Sequence, residues 1–265
     1  MSDQLPHHTR RHGIGPVLVF LHYWGGSART WAPVISKLPE RDVLTLDFRG
    51  WGRSRTLPGP YGLHQLASDT RAILGASGVS DYVLVGHSMG GKVAQLVAGA
   101  EPDGLRGIIL IAPAPAVPAA SVDAEHQTSL AHAYDSAESV ARARNDVLTA
   151  TELSVADKVQ VVEDSLASTP DALVEWPLRG IAEDISADTR RIKVPALVVA
   201  GGNDVVEPAE VLRANLLPHL IRPDFTVVPD AGHLLPLEAP DAVAALISGF
   251  APDSSLLTAT SATAQ

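Results

Sequence analysis

Ser88 stands in Gly86-His87-Ser88-Met89-Gly90-Gly91, directly after the apolar run Tyr82-Val83-Leu84-Val85 and ahead of a helical pattern from Lys92 to Ala100. A serine at a sharp strand-to-helix turn holds its hydroxyl away from the backbone, and flanking glycines allow the close chain approach that such a turn requires. The N-terminus of the following helix presents free N–H groups and a positive dipole end to the reacting atom. A serine hydroxyl is a weak nucleophile until a base takes its proton. His233, in Asp230-Ala231-Gly232-His233, follows the last apolar run and can be that base. An imidazole base needs a carboxylate to orient it and to stabilise its cation. Asp204, in Gly201-Gly202-Asn203-Asp204, follows another apolar run behind two turn glycines. Asp230 and Glu238 are rivals, but neither directly follows a strand with glycines before it; Glu207, beside Pro208, is a weaker one. Singly, a loop aspartate is usually a turn former and a loop histidine a surface residue. In combination with the serine turn they specify acyl transfer through Ser88, His233 and Asp204.

The elements that must position these residues are legible as alternating patterns. Val17–His22, Val43–Asp47, Tyr82–Gly86, Gly107–Ala112, Ala196–Gly201 and Phe225–Pro229 are short, β-branched and apolar on both alternations, as strands buried on both faces require. Helical patterns lie between them, near Thr30–Leu38, Leu63–Ala76, Gly90–Ala100, Pro208–Leu217 and Pro240–Phe250. The alternation predicts an α/β fold: a mostly parallel sheet with helices on both faces. Ala112 to Val194 is far longer than the dozen or so residues of one crossover. Asp123–Ala150, Val155–Ser168 and Asp171–Asp184 read as helices there, so an inserted helical lid is expected at about 115–190. The expectation is a single domain over residues 1–252, with a disordered tail at 253–265.

Composition excludes several classes. There is no cysteine, so disulfides, thiolate nucleophiles and Cys-ligated metals are ruled out. A net charge of −10 opposes binding to phosphate backbones, and Arg41, Arg49, Arg53 and Arg55 lie in no nucleic-acid-binding motif; no nucleic-acid partner is expected. No apolar run is long enough to cross a membrane, and the first residues lack the apolar stretch of a secretory signal. A cytoplasmic protein is the expectation. His7, His8 and His12 read as a surface run rather than a metal site. Aromatic residues are 5% of the chain and no Gly-x-Gly-x-x-Gly follows a strand, so neither a stacked flavin nor a dinucleotide cofactor is suggested.

The serine turn, the chain order Ser88–Asp204–His233, His22-Tyr23-Trp24-Gly25-Gly26-Ser27 and Asp47-Phe48-Arg49-Gly50-Trp51-Gly52-Arg53-Ser54 together resemble the α/β-hydrolase superfamily. Within it the chain is similar to small cofactor-free serine esterases, non-haem haloperoxidase-type perhydrolases and enol-lactonases, over about Pro16 to Phe250. The resemblance implies backbone N–H groups of Met89 and Trp24 as oxyanion donors and a scaffolding role for Asp47–Ser54. It implies no cofactor and a small-molecule substrate, cleaved at an ester or related acyl bond through an acyl-enzyme. Lactone or C–C bond hydrolysis on the same triad is the alternative, and a non-catalytic binding protein of this fold is a further one. Ser88 stands where the dehalogenase and epoxide hydrolase branches carry aspartate. In two respects the chain departs from the family pattern. Tyr23 replaces the glycine that usually follows the histidine of the oxyanion loop, and before Pro16 there is room for only one short edge strand. Tyr23, Trp24, Met89 and Trp176 are candidate pocket walls; Trp31 and Trp51 are assigned to packing.

Overall fold

The computed structural model describes residues 4–251; the tail expected at 253–265 lies outside them. Seven strands form one sheet: β1 (His8–Arg11), β2 (Ile14–Leu21), β3 (Arg41–Leu46), β4 (Tyr82–His87), β5 (Leu105–Ile111), β6 (Ala196–Gly201) and β7 (Asp224–Val228), in the order β1-β3-β2-β4-β5-β6-β7. β1 is the one short edge strand ahead of β2, antiparallel to β3, and every other pairing is parallel. The six strands expected from the apolar runs are all present.

Because successive side chains of a strand point to opposite faces, the sheet builds two cores. Val19, Leu84, Ile108, Leu110 and Val198 face one layer, which includes α2 (Leu63–Ala76) and α3 (Met89–Gly99). Phe20, Val85, Ile109, Ile111 and Val199 face the other, with Val34 of α1 (Ala32–Ser36) and Val243 and Ile247 of a C-terminal helix at Pro240–Gly249. Every residue of α3 is buried, so the helix behind Ser88 is fixed in the middle of the molecule.

Between β5 and β6 lie α4 (Ala124–Ala131), α5 (Ala137–Ala143), α6 (Val155–Leu166), α7 (Pro170–Leu178) and α8 (Ser186–Thr189). The continuous helix expected over Asp123–Ala150 is broken. Ser136 caps α5 through a reciprocal capping box with Ser139, which competes with helix continuation. Tyr134, in the break, turns inward and stacks on Trp24 with ring centroids 4.2 Å apart. Residues Arg144–Leu148 then form a π-helical turn. Likewise α7 stops at Leu178 rather than Asp184, and Gly180 just beyond it packs against Trp176, where a Cβ would lie 2.8 Å from the ring. After β6 come α9 (Ala209–Asn215), then β7, α10 (Leu235–Glu238) and α11, the Pro240–Gly249 helix.

Parallel strands end on one edge of the sheet, where open α/β folds bind ligands. β2 leads there to Tyr23 and Trp24, β4 to Ser88, β6 to Asp204 and β7 to His233.

Candidate active site

Ser88 has φ 52° and ψ −118°, a left-handed conformation that costs an L-residue roughly 1–3 kcal/mol and persists only where surrounding structure imposes it. The imposing contacts are visible at the glycines. A Cβ on Gly86 would lie 2.5 Å from the Gly90 carbonyl oxygen, and one on Gly90 would lie 2.5 Å from the carbonyl oxygens of Leu21 and His22. The turn thus packs backbone against backbone beside the loop that follows β2.

The His233 ring bridges the other two residues. Its Nδ1 lies 2.9 Å from Asp204 Oδ2 and its Nε2 lies 2.9 Å from Ser88 Oγ. An ionised carboxylate only accepts, so Nδ1 carries the proton and Nε2 is left to accept from the serine hydroxyl. All three side chains are buried. Burial works against the charge on Asp204, but His233 and the N–H groups of Val206 and Glu207, which donate to Oδ1 at 2.8 and 3.0 Å, outweigh it and hold the carboxyl below its ordinary range.

The rival carboxylates serve other purposes. Glu238 accepts hydrogen bonds from the N–H groups of Gly232, Leu234, Ala150 and Thr151. It clamps the loop on both sides of His233 to the chain after α5. The N–H groups of His233 and Leu234 both donate to the Leu148 carbonyl at 3.0 Å, and His87 Nε2 donates to the His233 carbonyl at 2.8 Å. Asp230 is exposed with φ 62°, a turn residue. Burial lowers the His87 ring to about 3, and the neighbouring His233 ring acts in the same direction, so this second histidine stays neutral and is a brace rather than a competing base.

The loop after β2 is fastened as firmly. His22 donates from Nδ1 to the Tyr23 carbonyl and accepts from the Phe48 N–H at Nε2, a neutral tautomer consistent with burial lowering its basicity. Trp51 Nε1 donates to the Trp24 carbonyl at 2.5 Å, while Trp24 Nε1 donates to the Leu173 carbonyl. Ser165 Oγ donates to the Gly25 carbonyl, and Ser27 Oγ to Asp164 Oδ2. Asp47 accepts from the N–H groups of Ala28 and Arg53, and Arg49 makes a two-pronged pair with Asp69 at 2.8 Å. The Asp47–Ser54 segment therefore supports this loop. Among the described residues, neither the Trp24 N–H nor the Met89 N–H donates to a protein acceptor.

A cavity of about 500 Å³ opens over Ser88 and His233, with Tyr23, Trp24, Tyr134 and Trp176 in its walls. Three of the four expected wall residues are there; the Met89 side chain instead lines a separate small cleft with Tyr61 and Leu63. Trp31 and Trp51 are fully buried, as assigned. Glu238 and Glu207, weighed in the sequence only as rivals to Asp204 because they lie near His233 and Asp204, instead clamp the His233 loop and line the cavity, respectively. Tyr134 had no sequence signal. A wider groove of about 700 Å³, at the edge formed by Thr9, Thr45 and Arg53, contains none of the three relay residues.

Lys92, on α3, is completely buried under this region. Its Nζ donates to the carbonyls of Gly180 and Ile181 and lies 5.9 Å from the Trp176 ring centroid, holding the chain after α7 against α3. Burial lowers its ammonium from 10.5 to about 8 despite nearby Glu207 and Glu183. Between those values the unfolded chain binds more protons than the folded one, so stability rises with pH across the window and the full cost of the charge is present below it. Urea titrations of the wild type and Lys92→Met are expected to diverge in favour of the wild type from pH 8 to 10.5, by up to roughly a few kcal/mol. A pH-independent difference would refute the assignment.

Among the described residues no group of three or more His, Cys, Asp or Glu side chains is placed to hold a metal, and no helix is long and apolar enough to cross a membrane.

Comparison with known proteins identifies the family and the fold. The Alpha/beta hydrolase family model aligns with residues 18–246. The pimeloyl-[acyl-carrier protein] methyl ester esterase of Pseudoalteromonas atlantica is 38% identical over 109 residues, 40% of this chain and 41% of that protein; the chain thus spans less than half of that relative. The N-formylmaleamate deformylase of Pseudomonas putida is 28% identical over 92% of this chain and 91% of that one. The bromoperoxidase of Bacillus anthracis superposes with a TM-score of 0.81 at 19% identity, covering 91% of this chain and 93% of the other. The seven-stranded sheet, the serine turn and a family match across most of the chain lead to one conclusion: this protein belongs to the alpha/beta hydrolase family.

Proposed function

We propose that this chain is a serine hydrolase that cleaves an ester or related acyl bond of a small molecule through an acyl-enzyme. The observation that carries the reading is the pair of consecutive 2.9 Å hydrogen bonds from Ser88 through His233 to a buried carboxylate. His233 Nε2 takes the Ser88 proton as Oγ attacks the acyl carbon. The negative charge that forms on the carbonyl oxygen meets the unpaired N–H groups of Trp24 and Met89. Nε2 then protonates the departing alcohol, leaving the acyl group on Oγ. A water gives its proton to Nε2, attacks the acyl carbon and releases the acid as Ser88 regains its proton. Similarity to a methyl ester esterase and to a deformylase supports acyl transfer as the reaction class. The helices between β5 and β6 act in this reading as the lid that shapes the acyl pocket.

A fluorophosphonate probe tests the assignment directly. One equivalent is expected on the peptide containing Ser88, and none after Ser88→Ala; labelling elsewhere, or none in the wild type, would overturn it.

The Trp24 N–H shares its peptide plane with the Tyr23 carbonyl, which His22 holds, and the next plane, that of the Trp24 carbonyl, is held by Trp51, so the Trp24 backbone is fixed from both sides. Trp51→Phe is therefore expected to lower kcat for a p-nitrophenyl ester about tenfold with KM nearly unchanged, because the donor acts on charge that exists only in the transition state. A rise in KM at constant kcat would contradict a role in the oxyanion site.

A further inference from the structure

Several polar side chains of the cavity are not used by this mechanism: Tyr23, Tyr134 and Glu207, with Ser121, His126 and Ser129 in exposed positions; of these only Glu207 is acidic. Glu207 lines the cavity with Ser88 and His233, yet its side chain is buried, with the whole residue only 6% exposed. Its backbone N–H is spent on Asp204 Oδ1. Its carboxyl makes no hydrogen bond or ion pair among the described residues. Lys92 is a cation that acts on it, but its ammonium donates to the Gly180 and Ile181 carbonyls. The surrounding wall is largely apolar, with Leu130, Leu148, Trp176, Ile181 and Val206. The carboxyl oxygens are not fully enclosed by protein, so they open onto the cavity, where a substrate group can meet them.

We infer that Glu207 is the specificity-determining residue of the cavity, and that it takes a neutral group of the substrate that both donates and accepts hydrogen bonds, a carboxamide or lactam. This rests on the proposed serine hydrolase reading and extends it to the substrate class. Burial and the charge of Asp204 push the Glu207 carboxyl well above its ordinary range, against the pull of Lys92, so these surroundings favour its acid form, with one O–H donor and one carbonyl acceptor. A carboxamide matches both atoms in a planar pair. An ammonium group would require the ionised form, which the same surroundings oppose. A purely apolar substrate leaves the carboxyl unpaired, and sites built to hydrogen-bond a substrate discriminate strongly against analogues that lack the group.

The test compares p-nitrophenyl esters of stepped acyl length ending in a carboxamide, an isosteric isopropyl or an ammonium group, and alkyl butyrates carrying the same three ends on the alcohol. On one of the two sides, the wild type is expected to favour the carboxamide over the isopropyl end by about tenfold or more in kcat/KM. Glu207→Gln, which still donates and accepts, is expected to keep most of that preference, and Glu207→Val to invert it. Two controls make the failures distinguishable. Loss of Ser88-dependent turnover of every ester overturns the proposed function. Ser88-dependent turnover with no carboxamide preference, with ammonium favoured, or with a preference that neither Glu207 variant moves, overturns the inference about Glu207 alone. A ratio between two substrates does not move if Glu207 merely supports the loop.

Discussion

Ser88→Ala is expected to lower kcat for a p-nitrophenyl ester by about ten-thousand-fold or more, with the fold intact. Without Oγ there is no covalent acceptor, and His233 Nε2 loses the 2.9 Å partner whose proton it would take. The oxyanion donors remain, so a slow background above uncatalysed hydrolysis should survive. Stability should change by less than about 1 kcal/mol, because the left-handed backbone at φ 52° is equally strained for alanine. The measurement is steady-state turnover on protein whose melting curve matches the wild type. Residual activity within tenfold of the wild type would remove Ser88 from the reaction.

Asp204→Asn is the second large effect, with an expected loss of about ten-thousand-fold in kcat. The substitution puts an amide in place of the carboxylate oxygen that now accepts from His233 Nδ1 at 2.9 Å. An amide N–H facing Nδ1 favours the tautomer with the proton on Nε2, and that nitrogen can no longer accept from Ser88. The comparison that gives this prediction its force is Glu238→Gln. Glu238 lies close to His233 in sequence but takes backbone N–H groups from both sides of the His233 loop and from Ala150 and Thr151. Its loss should loosen the loop, lowering thermal stability and reducing kcat by roughly tenfold. Equal losses for the two variants at matched folding would mean that the orienting carboxylate has been assigned to the wrong residue.

These two variants also mark where local sequence stops being informative. The strand runs, the serine turn and the order of Ser88, Asp204 and His233 are legible because each is a local pattern with a local cause. Runs apolar on both alternations report burial on both faces, and glycine reports close backbone approach, which Gly86 and Gly90 bear out at 2.5 Å. Even the choice of Asp204 over Asp230 and Glu238 came from its turn glycines, and the structure joins Asp204 to His233.

What only the tertiary structure decided is which distant groups meet. A carboxylate looks the same in sequence whether it clamps a loop, as Glu238 does across 88 positions, fastens Ser27 across 137, as Asp164 does, or faces a cavity with no partner, as Glu207 does. Helical propensity likewise ran on from Asp123 to Ala150, until the stacking of Tyr134 on Trp24 and the cap at Ser136 broke it. Periodicity reports which side of an element is buried; only the folded chain sets what lies on the other side of that contact, and the pocket is built from those contacts.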